Sequence, residues 1–150
     1  MHGVFFAEVT LSSPEAADAE LKRLREENPG LLVQLMSMKR RPNRRAVEMI
    51  ALQTLRAAKK GSMIATKPEV DLLLRLAGTA QISEAIERVG YRAGGRRFLV
   101  AVGNEEMVKR LEAALTSSER GRNYRPVPEE RLDERGSEMV ESAALLGLRR

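Results

Sequence analysis

The sequence predicts a single mixed α/β domain, a small β-sheet flanked by several α-helices. Three observations carry this. Short apolar or β-branched runs at Val4 to Thr10, Leu31 to Met38 and Arg97 to Val102 are interspersed among longer stretches of helical apolar period. The chain has 150 residues, 43% of them hydrophobic, enough for one core that buries roughly two thirds of the unfolded surface. There are no cysteines, and only three Phe, two Tyr and no Trp, so the core must be aliphatic and Met-filled, without a disulfide framework.

In chain order, VFFAEVT (Val4 to Thr10) reads as a strand. Ser13-Pro14-Glu15 starts a helix, with Ser13 as cap, Pro14 at the first helical position and acidic residues in the first turn. It runs to about Glu27 with Ala17, Leu21 and Leu24 inward, and Asn28-Pro29-Gly30 ends it. Leu31 to Met38 alternates apolar and polar after its first residues and reads as the second strand. A helix from about Asn43 to Lys60 turns Val47, Ile50, Ala51, Leu55 and Ala58 inward, and Gly61 stops it. Tyr91 to Gly95 is a turn, Arg97 to Val102 a buried strand, and Asn104-Glu105-Glu106 opens a helix through Leu115. Over 116–128 periodicity vanishes and turn formers dominate, as in a connector or surface loop. Pro128 to Leu132 suggests one short helix, and Ser137 caps the last, 137–148.

The centre of the chain is Leu72 to Gly90. Thr66-Lys67-Pro68-Glu69 reads as a capping box. Behind it Val70, Leu73, Leu74 and Ala77 share one helix face. Gly78 ends that helix, Thr79 can cap the next, and Ile82, Ala85, Ile86 and Val89 form a second apolar face. Gly90 stands where a left-handed stop belongs. Arg75 lies just before this corner and Gln81 just after it, so both side chains can reach it. Thr79 and Ala80 would offer free backbone N–H groups there.

The chemistry census is thin. His2 is the only histidine, so neither a Ser-His-Asp nor a Cys-His arrangement can be built. No Walker-type phosphate loop or metal-ligand spacing occurs. The carboxylate pairs Glu105-Glu106 and Glu129-Glu130 open helices, where the macrodipole accounts for them. A non-enzymatic chain without cofactor or metal is expected. No secretory leader or apolar run near ~18 residues appears, so a soluble cytoplasmic protein is expected.

Net charge is +5 and the pI near 10.0, which favours acidic partners, nucleic acid first. Lys39, Arg40, Arg41, Arg44 and Arg45 crowd one strand-to-helix junction, and Lys59, Lys60 and Lys67 follow. Such a cluster at a helix N-terminus opposes the dipole, a cost that bound phosphate would offset. Surface solubilisation and nucleic-acid contact both fit it. In the last helix the apolar positions extend well beyond the ~100° stripe of an ordinary surface helix. Met139, Ala143 and Leu146 make one stripe, Val140, Ala144 and Leu148 a second, with Leu145 beyond it. Two stripes imply two buried faces, one on the domain and one on a partner or a second copy.

The run Arg75-Leu-Ala-Gly78-Thr-Ala-Gln81-Ile82-Ser-Glu84-Ala85-Ile86, closed by Gly90, resembles the signature of the small-subunit family of the KEOPS complex, whose eukaryotic member is the PRPK-binding protein. The likeness extends more loosely over Leu31 to Leu115 and returns in Met139 to Leu148. Lys67-Pro68-Glu69 departs from relatives that often carry aromatic residues there, and the first ~30 residues match only in outline. The resemblance implies a small mixed α/β regulatory subunit without activity of its own. It would bind the KEOPS protein kinase subunit (PRPK-like), contact the other KEOPS subunits indirectly, and stimulate a complex that makes threonylcarbamoyl-adenosine in tRNA. It would also hold the single-stranded 3′ CCA end of tRNA. Carried onto this chain, the tRNA site comprises Arg75, Gly78, Thr79, Gln81 and Ile82, with Lys59, Lys60 and Lys67 as added cations. The kinase-facing residues are Val140, Ala144, Leu145 and Leu148. The alternative is a winged helix-turn-helix DNA-binding protein, with Pro68 to Gly90 as the paired helices and Tyr91 to Val102 as the wing. Glu84 and Glu87 give its recognition helix a poor face for a phosphate-lined groove.

Overall fold

Apolar runs on both faces of the strands force a three-layer arrangement, with helices packed on either side of one sheet. The structure, a computed structural model, describes residues 1–93, 95–117 and 123–148. Its elements follow as β1 (His2–Val9), α1 (Pro14–Glu27), β2 (Leu32–Met38), α2 (Arg44–Lys60), α3 (Pro68–Ala77) and α4 (Ile82–Val89). A 3₁₀ turn at Tyr91–Ala93 leads to β3 (Arg96–Asn104), α5 (Glu105–Thr116), β4 (Tyr124–Pro126) and α6 (Glu134–Leu148). The sheet order is β2-β3-β1-β4, every neighbouring pair antiparallel.

Side-chain alternation divides the core. Phe5, Ala7 and Val9 of β1, Val33 and Leu35 of β2, and Leu99 and Ala101 of β3 pack under α1 and α5. Phe6, Leu32, Met36, Phe98, Val100 and Val102 face α2, α3, α4 and α6. Phe6 and Phe98 stack obliquely, ring centroids 5.5 Å apart. With both faces covered, β2 is buried almost throughout, which overrides the polar alternation read from its sequence. Its Gln34 is buried because its amide donates to the Glu69 carbonyl at 2.8 Å.

Most helix ends follow their caps. Ser13 accepts from Ala16 N–H, Asn43 from Ala46 N–H, and Asn104 from Glu106 and Met107 N–H. On α2, Val47, Ile50 and Ala51 are buried as expected, but Thr54 and Ala57 complete the face while Leu55 and Ala58 are half-buried. The Thr66 capping box does not form. Lys67 is the cap residue and makes no side-chain bond. Instead Asp71, one turn into α3, reaches back to accept the Ile64 and Ala65 N–H groups at 2.5 and 2.9 Å. Asp71, Leu72, Leu73, Leu74, Arg75 and Leu76 are all buried, so the middle of α3 is enclosed on every side.

Four further expectations are corrected. Pro128 to Leu132 is irregular chain, and α6 starts earlier than Ser137. There Asp133 accepts the Gly136 N–H at 2.7 Å and its carbonyl accepts from Ser137. The connector over 116–128 lies outside the described residues at 118–122, as does Gly94 of the expected turn. The connector's described end holds β4, a short strand on the edge of β1. Gly90 is extended (φ −66°, ψ 135°) rather than left-handed. Glycine is needed there because a methyl group would sit 2.4 Å from the Ile86 carbonyl oxygen. No helix among the described residues is long and apolar enough to cross a membrane.

Candidate functional site

The corner between α3 and α4 is built as its glycine dictates. Gly78 takes φ 72°, a conformation side chains resist. Both its N–H and that of Thr79 are accepted by the Leu74 carbonyl, at 2.9 and 3.2 Å. The Thr79 N–H expected to be free is therefore spent. Its buried hydroxyl accepts from Gln81 N–H at 3.2 Å and donates to the Glu84 carboxylate at 2.7 Å, so Thr79 fixes the start of α4. Gln81 and Ile82 beyond it are exposed, Ile82 by 52%.

Arg75 does not share that corner. It is buried in an ion pair with Asp71 at 2.8 Å and donates toward the Ala143 carbonyl of α6 at 3.4 Å. One edge of its guanidinium lines a shallow cleft of about 360 Å³ with Arg56, Lys60, Ala144 and Leu148. Two residues expected on the tRNA side, Arg75 and Lys60, thus lie with two expected on the partner side. Lys59 leans toward His2, Nζ 2.9 Å from the imidazole Nε2.

Lys67 goes elsewhere, to a pocket of about 340 Å³ among α1, β2, α3 and α4. Leu21, Leu35, Leu73 and Ile86 form apolar walls, while Arg25, Lys67 and Arg92 supply positive charge against one carboxylate, Glu69. Arg25 donates to the Val33 carbonyl at 3.1 and 2.9 Å and to Gln34 Oε1 at 3.3 Å. Burial draws its pKa below the ordinary arginine value, outweighing attraction to Glu69 and Tyr91, a desolvation that a bound anion would relieve. Asp18 holds both Tyr91 and Arg92 at the rim. Ile86, 51% exposed where it lines the pocket, and Ile82 stand one turn apart on α4. Of the apolar face read for α4, only Ala85 and Val89 turn inward.

Sequence reasoning missed Arg25, Ile86 and Arg92. A signal existed for Arg25, which lies four residues after the inward Leu21 and so places a charge on a core-facing stripe.

On α6 the two stripes separate only toward its end, because Val140, expected on the outer stripe, packs against the core beside Met139. Ala143 and Leu146 are buried, Val140 is half-buried, and Ala144, Leu145 (51%) and Leu148 (81%) face out. Leu145 and Leu146 also flank a small cleft against Gly78. The basic group at the start of α2 is partly structural. Arg41 pairs with Glu130 at 2.8 Å, and Glu130 also accepts the Arg44 N–H at 2.8 Å. Arg41 and then this backbone bond hold the Glu130 carboxyl below its ordinary range. A glutamate thus fills the place at the helix end that phosphate was expected to fill.

Tyr91 to Val102, expected as the wing of a DNA-binding fold, forms a 3₁₀ turn and much of β3, which lies between β2 and β1 in the sheet. The sequence matches no protein-family model and no curated protein sequence.

Proposed function

We propose that this chain is a non-catalytic adaptor of the tRNA threonylcarbamoyl-adenosine machinery, a KEOPS-type small subunit. It holds a single-stranded tRNA 3′ end at α4 and docks on a protein kinase partner through the outer face of α6. The observation that carries the reading is the pocket beside α4. Its apolar walls suit a base that has left its stack, Arg25 and Lys67 suit a phosphate, and exposed isoleucines extend the apolar surface from its mouth. The signature residues Gln81, Ile82 and Ile86 therefore act from α4, with Lys67 and Arg25 as charge partners and Gln81 presenting a donor and an acceptor to a base edge. Thr79 and Gly78 shape the turn. Arg75 positions α6, and Lys60 belongs to the partner-facing end.

For the second surface, the exposed Ala144, Leu145 and Leu148 give an apolar stripe on a helix anchored by its opposite face. Two charge substitutions test the division of labour. Ile86→Glu should weaken tRNA binding by at least tenfold and leave kinase capture intact. Leu148→Glu, at a site already 81% exposed, should abolish kinase capture and leave tRNA binding intact, since burying an unpaired charge costs about 3–5 kcal/mol. If each variant keeps the function assigned to its surface, the two-surface reading is wrong.

A further inference from the structure

A second, larger cleft of about 570 Å³ opens on the other flank of α4, between the start of α2, the ends of α3 and α4, and the start of α6. Its rim carries Lys39, Arg40, Arg41, Arg88 and Arg135 against one carboxylate, Asp133. Leu76, Val89 and Met139 contribute an apolar floor. Several of these charges are already committed. Arg41 pairs with Glu130, Arg88 sits 3.7 Å from Glu84 and donates to the Ala77 carbonyl, and Asp133 caps α6. Lys39, Arg40 and Arg135 form no ion pair among the described residues. Elsewhere arginines on the surface such as Arg23, Arg92 and Arg96 pair with carboxylates. Two segments far apart in sequence thus bring uncompensated positive charge to one cavity.

We propose that this cleft binds the sugar–phosphate backbone of the RNA strand just 5′ of the end held beside Ile86. The inference rests on the RNA-holding reading above and adds a second contact to it. The cations come from the start of α2, the end of α4 and the start of α6, which fits successive phosphodiesters better than a single small anion. The apolar floor suits riboses and bases. The two cavities share α4, Ile86 and Gly90 lining one and Arg88 and Val89 the other, so a strand crossing this helix reaches both.

The test is a salt titration of tRNA binding by fluorescence anisotropy, with intact tRNA and with tRNA lacking its terminal CCA. Removing one cation from a phosphate should flatten the plot of log affinity against log salt by ~0.7 for a single strand. The triple variant Lys39→Gln, Arg40→Gln, Arg135→Gln should therefore flatten the slope by about two for both RNAs. A control variant, Lys22→Gln, Lys109→Gln, Arg110→Gln, removes equal charge from α1 and α5 across the sheet and should keep the parent slope. A triple-variant slope equal to the parent's, or an equal flattening in the control, overturns the proposal. Failure of the 3′-end reading looks different, since the parent would then bind intact and trimmed tRNA alike. A parent chain that binds no tRNA overturns both.

Discussion

Replacing Arg75 by alanine separates a positioning role from a ligand role, and the structure sets the size of the effect. Asp71 is 0% exposed and Arg75 4%. The Asp71 carboxylate accepts two loop N–H groups and the Arg75 Nε–H, while Arg75 also reaches a carbonyl of α6. Arg75→Ala leaves that carboxylate buried without its counter-charge, a loss of about 3–5 kcal/mol in a domain whose total stability is of order 5–15 kcal/mol. With a urea dependence of about 2 kcal/mol per molar, the unfolding midpoint followed by circular dichroism should fall by roughly 2 M. Asp71→Ala should cost as much, because it strands the guanidinium and frees the Ile64 and Ala65 N–H groups. The double variant Asp71→Leu, Arg75→Met should cost less than the two single losses combined, since an apolar pair carries no buried charge. It should still fall short of the parent by about 1–3 kcal/mol for each loop donor left unsatisfied. If Arg75→Ala leaves the midpoint within about 0.3 M of the parent and loses tRNA binding instead, Arg75 is a ligand side chain and the buried network is not what holds α6.

Two glycines should fail for different reasons. Gly90→Ala should cost about 1–3 kcal/mol by crowding the Ile86 carbonyl. Gly78→Ala should cost roughly 1–2 kcal/mol from backbone strain alone, because its nearest neighbour, the Ser142 Cβ, is 4.0 Å away. Thermal unfolding of each alone and of the pair checks both, and additive losses are expected. Glu130→Gln tests pH linkage. The folded-state pKa of Glu130 is depressed, so its stabilisation is complete above the unfolded-state value and is lost as pH falls through the folded one. The pair is partly exposed, so the variant should be less stable by at most about 1 kcal/mol at neutral pH. It should converge on the parent in acid, and a gap that persists there contradicts the linkage.

Much of the fold is legible in the sequence because local signals and tertiary packing agree. Ser13, Asn43 and Asn104 cap where a polar residue precedes an apolar period, and three strands stand out as β-branched or aliphatic runs. What the sequence hides depends on distant partners. β4 is three residues in a turn-rich segment and exists only because the edge of β1 is free to pair. Asp71 and Arg75, at i and i+4, resemble a solvated edge in sequence, yet the irregular loop before α3 and the carbonyl of Ala143 enclose them. Ile82 and Ile86 continue an apolar helical period, so periodicity assigns them to the core. Their exposure follows from α4 being short and packed by Ala85 and Val89 alone. The same limit scatters the candidate site. Arg75, Lys60 and Lys67 are near in sequence, but Arg75 and Lys60 line one cleft while Lys67 lines another.

The most direct test of the account is the affinity of the parent chain for intact tRNA against the same tRNA without its terminal CCA, at one fixed salt concentration. Trimming should weaken binding by at least tenfold. Ile86→Glu should lose a similar factor on intact tRNA and little more on trimmed tRNA, because both changes delete one contact from opposite sides. Equal affinity of the parent for intact and trimmed tRNA would contradict the claim that the surface beside α4 holds a 3′ end.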